Sequence, residues 1–237
     1  MRVPYRRIAG VVAVPLFLSA ATACGGGGDG GRKAPDALSG DELRAVLLAQ
    51  QELPPGWELT GGGAPVGDDE IAEADRSACQ PVMDLVSGRS ADIAPTGQAD
   101  AGLLGPDGLG GAAHIGVNQY KEGQAAQLLD AARAALPTCA GFGVRQAGGD
   151  SIAPAATAVG ESPWLGDGTL FFRLTMTTDA GALSIPYTVV RKGSALVLTS
   201  TLNDPGAGAD AVPEVLLRAQ VDKLAKAQLA KTGAKAQ

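Results

Sequence analysis

The residues able to do chemistry in this chain are few: Cys24, Cys79 and Cys139, a single histidine at His114, and scattered serines and carboxylates. The run Gly160-Glu161-Ser162-Pro163-Trp164 has the serine of a nucleophile elbow. Trp164, however, stands where that pattern needs its last glycine, and Pro163 has no N–H to offer an oxyanion. Any Ser-His mechanism would have to use His114, which reads as an ordinary strand residue. Glu161 and Asp167 lie in one loop, a spacing that sets no distance between two carboxylates of the kind glycosidases pair. Gly105-Pro106-Asp107-Gly108-Leu109-Gly110-Gly111 lacks the Lys-Ser/Thr ending of a phosphate loop and reads as a turn-rich connection. Asp68, Asp69, Glu70, Glu73 and Asp75 offer hard oxygen ligands, but not at EF-hand spacing, so a solvated acidic face is expected. No catalytic residue, metal ligand or cofactor is assigned, and the chain reads as a non-enzyme.

The first residues address the chain. Arg2, Arg6 and Arg7 precede an apolar run from Ile8 to Ala20 that contains Pro15, and small residues lead to Cys24. This is a secretory signal, and the run is well short of the roughly 20 residues that cross a bilayer. Leu18-Ser19-Ala20-Ala21-Thr22-Ala23-Cys24 resembles the bacterial lipobox, with Ala21 at the place usually held by Leu. The resemblance implies that Cys24 receives a diacylglycerol and becomes the first residue of a lipoprotein. Two acyl chains anchor stably where one does not. The alternative is a secreted protein in which Cys24 is incidental.

With Cys24 assigned to lipid, Cys79 and Cys139 remain as an even pair in an oxidising compartment, and a disulfide is expected. A metal pair is disfavoured by the lone His114 and the absence of CxxC; a catalytic thiol is the other rival. Loss of the three arginines in residues 1–23 takes the formal charge from −6 to −9. That disfavours nucleic-acid binding and gives no electrostatic reason to lie on anionic lipid.

The elements that must position any site follow from periodicity. The Gly-rich stretch after Cys24 is a flexible tether. Ser39 and Glu42 form a capping box for a helix with Leu43, Val46 and Leu47 on one face, ended by Pro54-Pro55-Gly56 before Trp57, which covers a core edge. Ser77 and Gln80 open a second helix carrying Cys79. Ala113, Ile115 and Val117 alternate as a strand, and Ala125, Leu128, Leu129, Ala132 and Leu136 mark a helix stopped by Pro137. From Thr169 to Leu202 three alternating runs form an antiparallel meander, with Pro186 marking an edge or bulge in the second. A last helix begins near Pro213 with Leu217, Val221 and Leu224 on one face, and the tail frays. Pro163 and Gly166-Asp167-Gly168 place Trp164 in a mobile-looking loop before the meander, where it either caps the core, the usual use of a tryptophan, or lines a cleft. Adjacent strands with helices at both ends imply α+β. The expected organisation is a signal peptide (1–23), lipidated Cys24 and tether (24–37), one α+β domain with helices packed on an antiparallel sheet (38–230), and a disordered tail (231–237).

The lipobox, Leu53-Pro54-Pro55-Gly56-Trp57 after a short helix, Tyr120 leading into Ala125-Ala126 and then Cys139, the meander and the closing helix together resemble the PknH-like extracellular sensor domain family. This is the sensor-like domain of a mycobacterial serine/threonine kinase, which also occurs as stand-alone actinobacterial lipoproteins. The resemblance covers roughly Leu38 to Leu229. It implies one α+β domain with a cleft for an unknown ligand and no established catalytic residues; family members often carry two disulfides, where this mature chain can form one. The expectation is a non-catalytic lipoprotein on the outer face of the cytoplasmic membrane. It is held to the lipid bilayer by acylated Cys24 and contacts an envelope ligand or protein through Trp164 and Tyr120. An envelope lipid carrier with an apolar cavity is the alternative, and an uncharacterised hydrolase a more distant one.

Overall fold

The computed structural model describes residues 34, 36–61, 72–106, 112–145, 152–202 and 210–235. The signal peptide, Cys24, most of the tether and of the acidic stretch, and residues 107–111 of the glycine-rich loop lie outside the described residues. Ser39 starts helix α1 (Gly40–Val46) as its spacing predicts. Its hydroxyl accepts the Glu42 N–H, and the Glu42 carboxylate accepts the Ser39 N–H at 2.7 Å. The helix ends earlier than expected, because the Leu48 N–H is taken by the Gln220 side chain at 3.1 Å. A 3-10 turn at Gln50–Glu52 fills the interval to Pro54.

The remaining elements are β1 (Glu58–Gly61), β2 (Glu73–Ala74), α2 (Gln80–Ser87), β3 (Gly97–Leu104), β4 (Ala112–Gln119) and α3 (Gln124–Ala135). Then come β5 (Phe142–Arg145), β6 (Ile152–Val159), β7 (Gly168–Thr178), β8 (Gly181–Lys192), β9 (Ala195–Leu202) and α4 (Glu214–Lys235). Among the described residues, nine strands form one antiparallel sheet in the order β1-β3-β4-β9-β8-β7-β6-β5-β2. The fold class is therefore α+β, as the sequence implied.

Strand β9 returns to the middle of the sheet, and its two faces feed two cores. Leu196 and Leu198 join α2, α3 and β5–β8 in one, whereas Ala195 and Val197 join α1, α4, β3 and β4 in the other. Trp57 is buried in the second core. Cys79 and Cys139 are bonded to each other in the first, with Cα atoms 5.7 Å apart, which bears out the disulfide.

Several expectations need correction. Ser77 caps nothing: a 3-10 turn at Ser77–Cys79 moves the start of α2 to Gln80, and the Gln80 amide instead accepts from the Ala74 N–H. Strand β8 pairs with both β7 and β9 only from Tyr187 on, and Pro186 is paired with β7 alone, so the edge reading holds at the proline and fails for the strand as a whole. The domain begins before residue 38: Ala34 and Ala37 are buried, and Asp36 accepts from the Ser194 N–H at 3.0 Å and its hydroxyl at 2.6 Å. Helix α4 runs on to Lys235, where a frayed tail is expected from 231, with Lys231 paired to Glu42 of α1.

A candidate ligand-binding loop at Trp164

Residues 160–167 connect two strands that pair directly, so both ends of the loop are fixed by the sheet. The Gly160 N–H reaches the Phe171 carbonyl at 3.3 Å, and the Ser162 hydroxyl oxygen accepts the Phe171 N–H at 2.9 Å. Leu165 turns inward to the core under α1 and α4 and is buried. Its neighbour Trp164 is thus turned outward and stands 96% exposed. The structure corrects the reading of this ring as a core cap.

The far side of the loop is held as firmly. Gly166 has φ +58°, and a Cβ there would stand 2.4 Å from the Arg191 carbonyl oxygen. Asp167 accepts from the Gly193 N–H at 2.6 Å and from Lys192 Nζ at 3.0 Å, with Arg191 3.7 Å away. Burial opposes its charge, but the Gly193 N–H, Lys192 and Arg191 outweigh that and hold its carboxyl below the usual aspartate value.

Two open clefts flank the loop, and Ser162 and Pro163 line both. One, of about 460 Å³, lies toward the start of α4, with Phe171, Val212 and Leu217 as apolar walls and Glu161 and Glu214 among its acids. The other, of about 410 Å³, is bounded by Trp164, Arg133 of α3, Asp167 and Thr169. Both fall in the lower half of the size range for small-molecule sites, roughly 300–1,000 Å³.

The other expected contact residue lies elsewhere. Tyr120 is fully buried, and its hydroxyl donates to the Gly88 carbonyl at 2.7 Å, with burial pushing its acidity well down. The structure does not bring it together with Trp164 in either cleft. His114 lies on β4, three strand spacings from β7, or about 14 Å. Ser162 and His114 therefore do not form a nucleophile–base pair. His114 Nε2 instead faces Asp100 Oδ2 at 3.7 Å. Among the described residues no three His, Cys, Asp or Glu side chains gather as metal ligands, and no helix is long and apolar enough to cross a membrane.

Sequence reasoning singled out Trp164 but missed Arg133, whose guanidinium reaches the loop by donating to the Thr169 carbonyl at 3.4 Å. Gly166-Asp167-Gly168 suggested a mobile loop, and the structure corrects this: Gly166 takes a positive φ and Asp167 ties the loop to the β8–β9 turn at Gly193.

The class this architecture defines is a nine-stranded antiparallel α+β domain with staggered helix pairs. No protein-family model matches the chain, and no curated protein matches it. Among solved structures it is similar to the extracellular domain of PknH from Mycobacterium tuberculosis, over 82% of this chain and 98% of that one, with TM-score 0.51 and 13% identity. A putative uncharacterized protein, the Rv0999 ortholog from Mycobacterium smegmatis, aligns over 84% of this chain and 98% of its own, at TM-score 0.43 and 14% identity. The first likeness shows that this chain has the fold of the PknH extracellular domain.

Proposed function

We propose that this chain is an extracytoplasmic lipoprotein whose domain binds a ligand or a partner protein without catalysis. In this reading acylated Cys24 holds it at the outer face of the cytoplasmic membrane. The observation that carries the binding role is the Trp164 loop: a large ring held out in water, braced on both sides and flanked by two clefts. An isolated exposed tryptophan gains nothing for stability, since its apolar area stays wet. The fold shared with an extracellular domain and the Cys79–Cys139 bridge support an oxidising, extracytoplasmic setting.

Two measurements test it. The intact mass of the protein taken from its native membrane should equal a chain starting at Cys24 plus a diacylglyceryl group; an unlipidated mass ends the anchor reading. A photo-crosslinking amino acid placed at position 164 in cells should give a discrete adduct, while the same group at exposed Val215 should not. Adducts at both positions or at neither would remove the binding role.

A further inference from the structure

The charged groups around the Trp164 loop are already matched with one another. Arg133 pairs with Asp130, Glu214 with Arg218, and Asp167 with Lys192 and Arg191. Glu161 stands outside these pairs. A strongly ionic ligand would have to break one of these pairs, and their net charge offers it little in return.

An apolar tail is poorly served as well, because both clefts, although walled mostly by apolar surface, stand open to water, and the indole is 96% exposed. Beside that surface lie the Ser162 hydroxyl and the Asp167 carboxylate. What remains unspent is hydrogen-bonding capacity without net charge. A paired carboxylate keeps acceptor lone pairs, and a guanidinium bound to one carboxylate keeps further N–H donors. A flat apolar ring face beside charge-balanced donors and acceptors matches a molecule that has one C–H face and a rim of hydroxyls.

We propose that the Trp164 loop is a binding site for neutral saccharides, one sugar ring stacking on the indole while its hydroxyls bond in the flanking clefts. This rests on the reading of the loop as the ligand-contacting element. The platform needs little ordering on binding, because buried Leu165 and tethered Asp167 fix the backbone on the C-terminal side of the ring and Ser162 fixes it on the other. Trp164 supplies the stacking surface, and Ser162, Arg133 and Glu161 set the orientation of the ring.

The test titrates the full chain, in a detergent without a sugar headgroup, with cellotetraose, maltotetraose and the N-acetylglucosamine tetramer. Tryptophan emission and calorimetry are followed in parallel. Trp57 is buried, so a change in emission reports on Trp164. The expected result is a saturable emission shift with at least one oligosaccharide. By calorimetry, Trp164→Ala should weaken binding at least tenfold and Trp164→Phe, which keeps a ring, by less. Circular dichroism and melting confirm that both variants fold. Absence of a saturable shift with all three sugars, or equal binding by Trp164→Ala, overturns the proposal. A final titration with envelope extract separates the two levels: emission that answers to the extract but to no saccharide refutes the sugar class alone, and silence with both removes the binding loop as well.

Discussion

Reduction of the Cys79–Cys139 bridge should cost the protein much of its stability. The bond closes a segment with a sequence separation of 60 that carries α2, β3, β4 and α3, and it ties the two ends of that segment together within one core. For a loop of that length the chain-entropy relation gives about 4 kcal/mol at 25 °C. In a domain of this size each kcal/mol moves the midpoint by roughly 2–4 °C, so melting should fall by about 8–16 °C. The assay compares thermal and urea unfolding of oxidised and dithiothreitol-reduced protein. If the bond acts on the unfolded chain, the reduced form also unfolds with a larger m-value, because its denatured ensemble exposes more surface. A double Cys79→Ala, Cys139→Ala variant should melt no higher than the reduced protein, since both sulfurs are fully buried and their loss adds a small cavity. A reduced form melting within about 2 °C of the oxidised one would refute the argument.

Other outcomes follow from single contacts. Trp164→Ala should leave stability within about 0.5 kcal/mol, whereas Trp57→Ala should lose about 3–5 kcal/mol, because only the second ring is buried; equal melting of the two variants contradicts the assignment. Tyr120→Phe strands the Gly88 carbonyl and should cost about 1–3 kcal/mol in urea unfolding, and a neutral result would mean that the hydroxyl has no structural task. Gln220→Ala leaves the Leu48 N–H and the Val46 carbonyl unpaired between α4 and α1, again about 1–3 kcal/mol per group, read as faster hydrogen exchange in α1. Acid should destabilise the fold. The Glu42 carboxyl is lowered from 4.5 to about 2, first by its bond to Lys231 and then by Ser39, and Asp167 is lowered as well. A depressed folded value means stability that is full above the unfolded value and lost as pH falls through the folded one, so for Glu42 the loss spans about pH 4.5 to 2. Lys231→Ala should flatten that slope; an unchanged pH profile would show that the pair contributes nothing.

The sequence was most readable where one face of an element is wet. The capping box at Ser39, the stripe on α3 and the alternation in β7 each expose a polar side that sets the period. It was least readable in β3 and β6, whose Ala and Gly residues have little strand preference of their own and become strands because neighbours offer them a ladder. In β9 the alternation seen in Leu196, Leu198 and Ser200 was real but hid a second buried face, since Ala195, Val197 and Thr199 are covered too. At the site, Trp164 and Leu165 are adjacent large apolar residues, and which one goes inside is decided by tertiary attachments outside the pattern, those of Asp167 to the Arg191 carbonyl and the Gly193 N–H.

The position of the loop follows from the stagger of the helices. Each helix pair covers part of the sheet, α1 and α4 on one face and α2 and α3 on the other, and β8 and β9 lie beneath both, with unbroken runs of buried residues. The chain entering β7 crosses the boundary between these halves. There it meets the first turn of α4 on one side, at Pro213 and Glu214, and the last turn of α3 on the other, at Arg133. Neither helix extends far enough to cover it. Two clefts therefore open where the coverage changes faces, and a rigid connection between them must leave one residue pointing to solvent. In this chain that residue is Trp164, whose ring can serve a binding surface because the packing needs nothing from it.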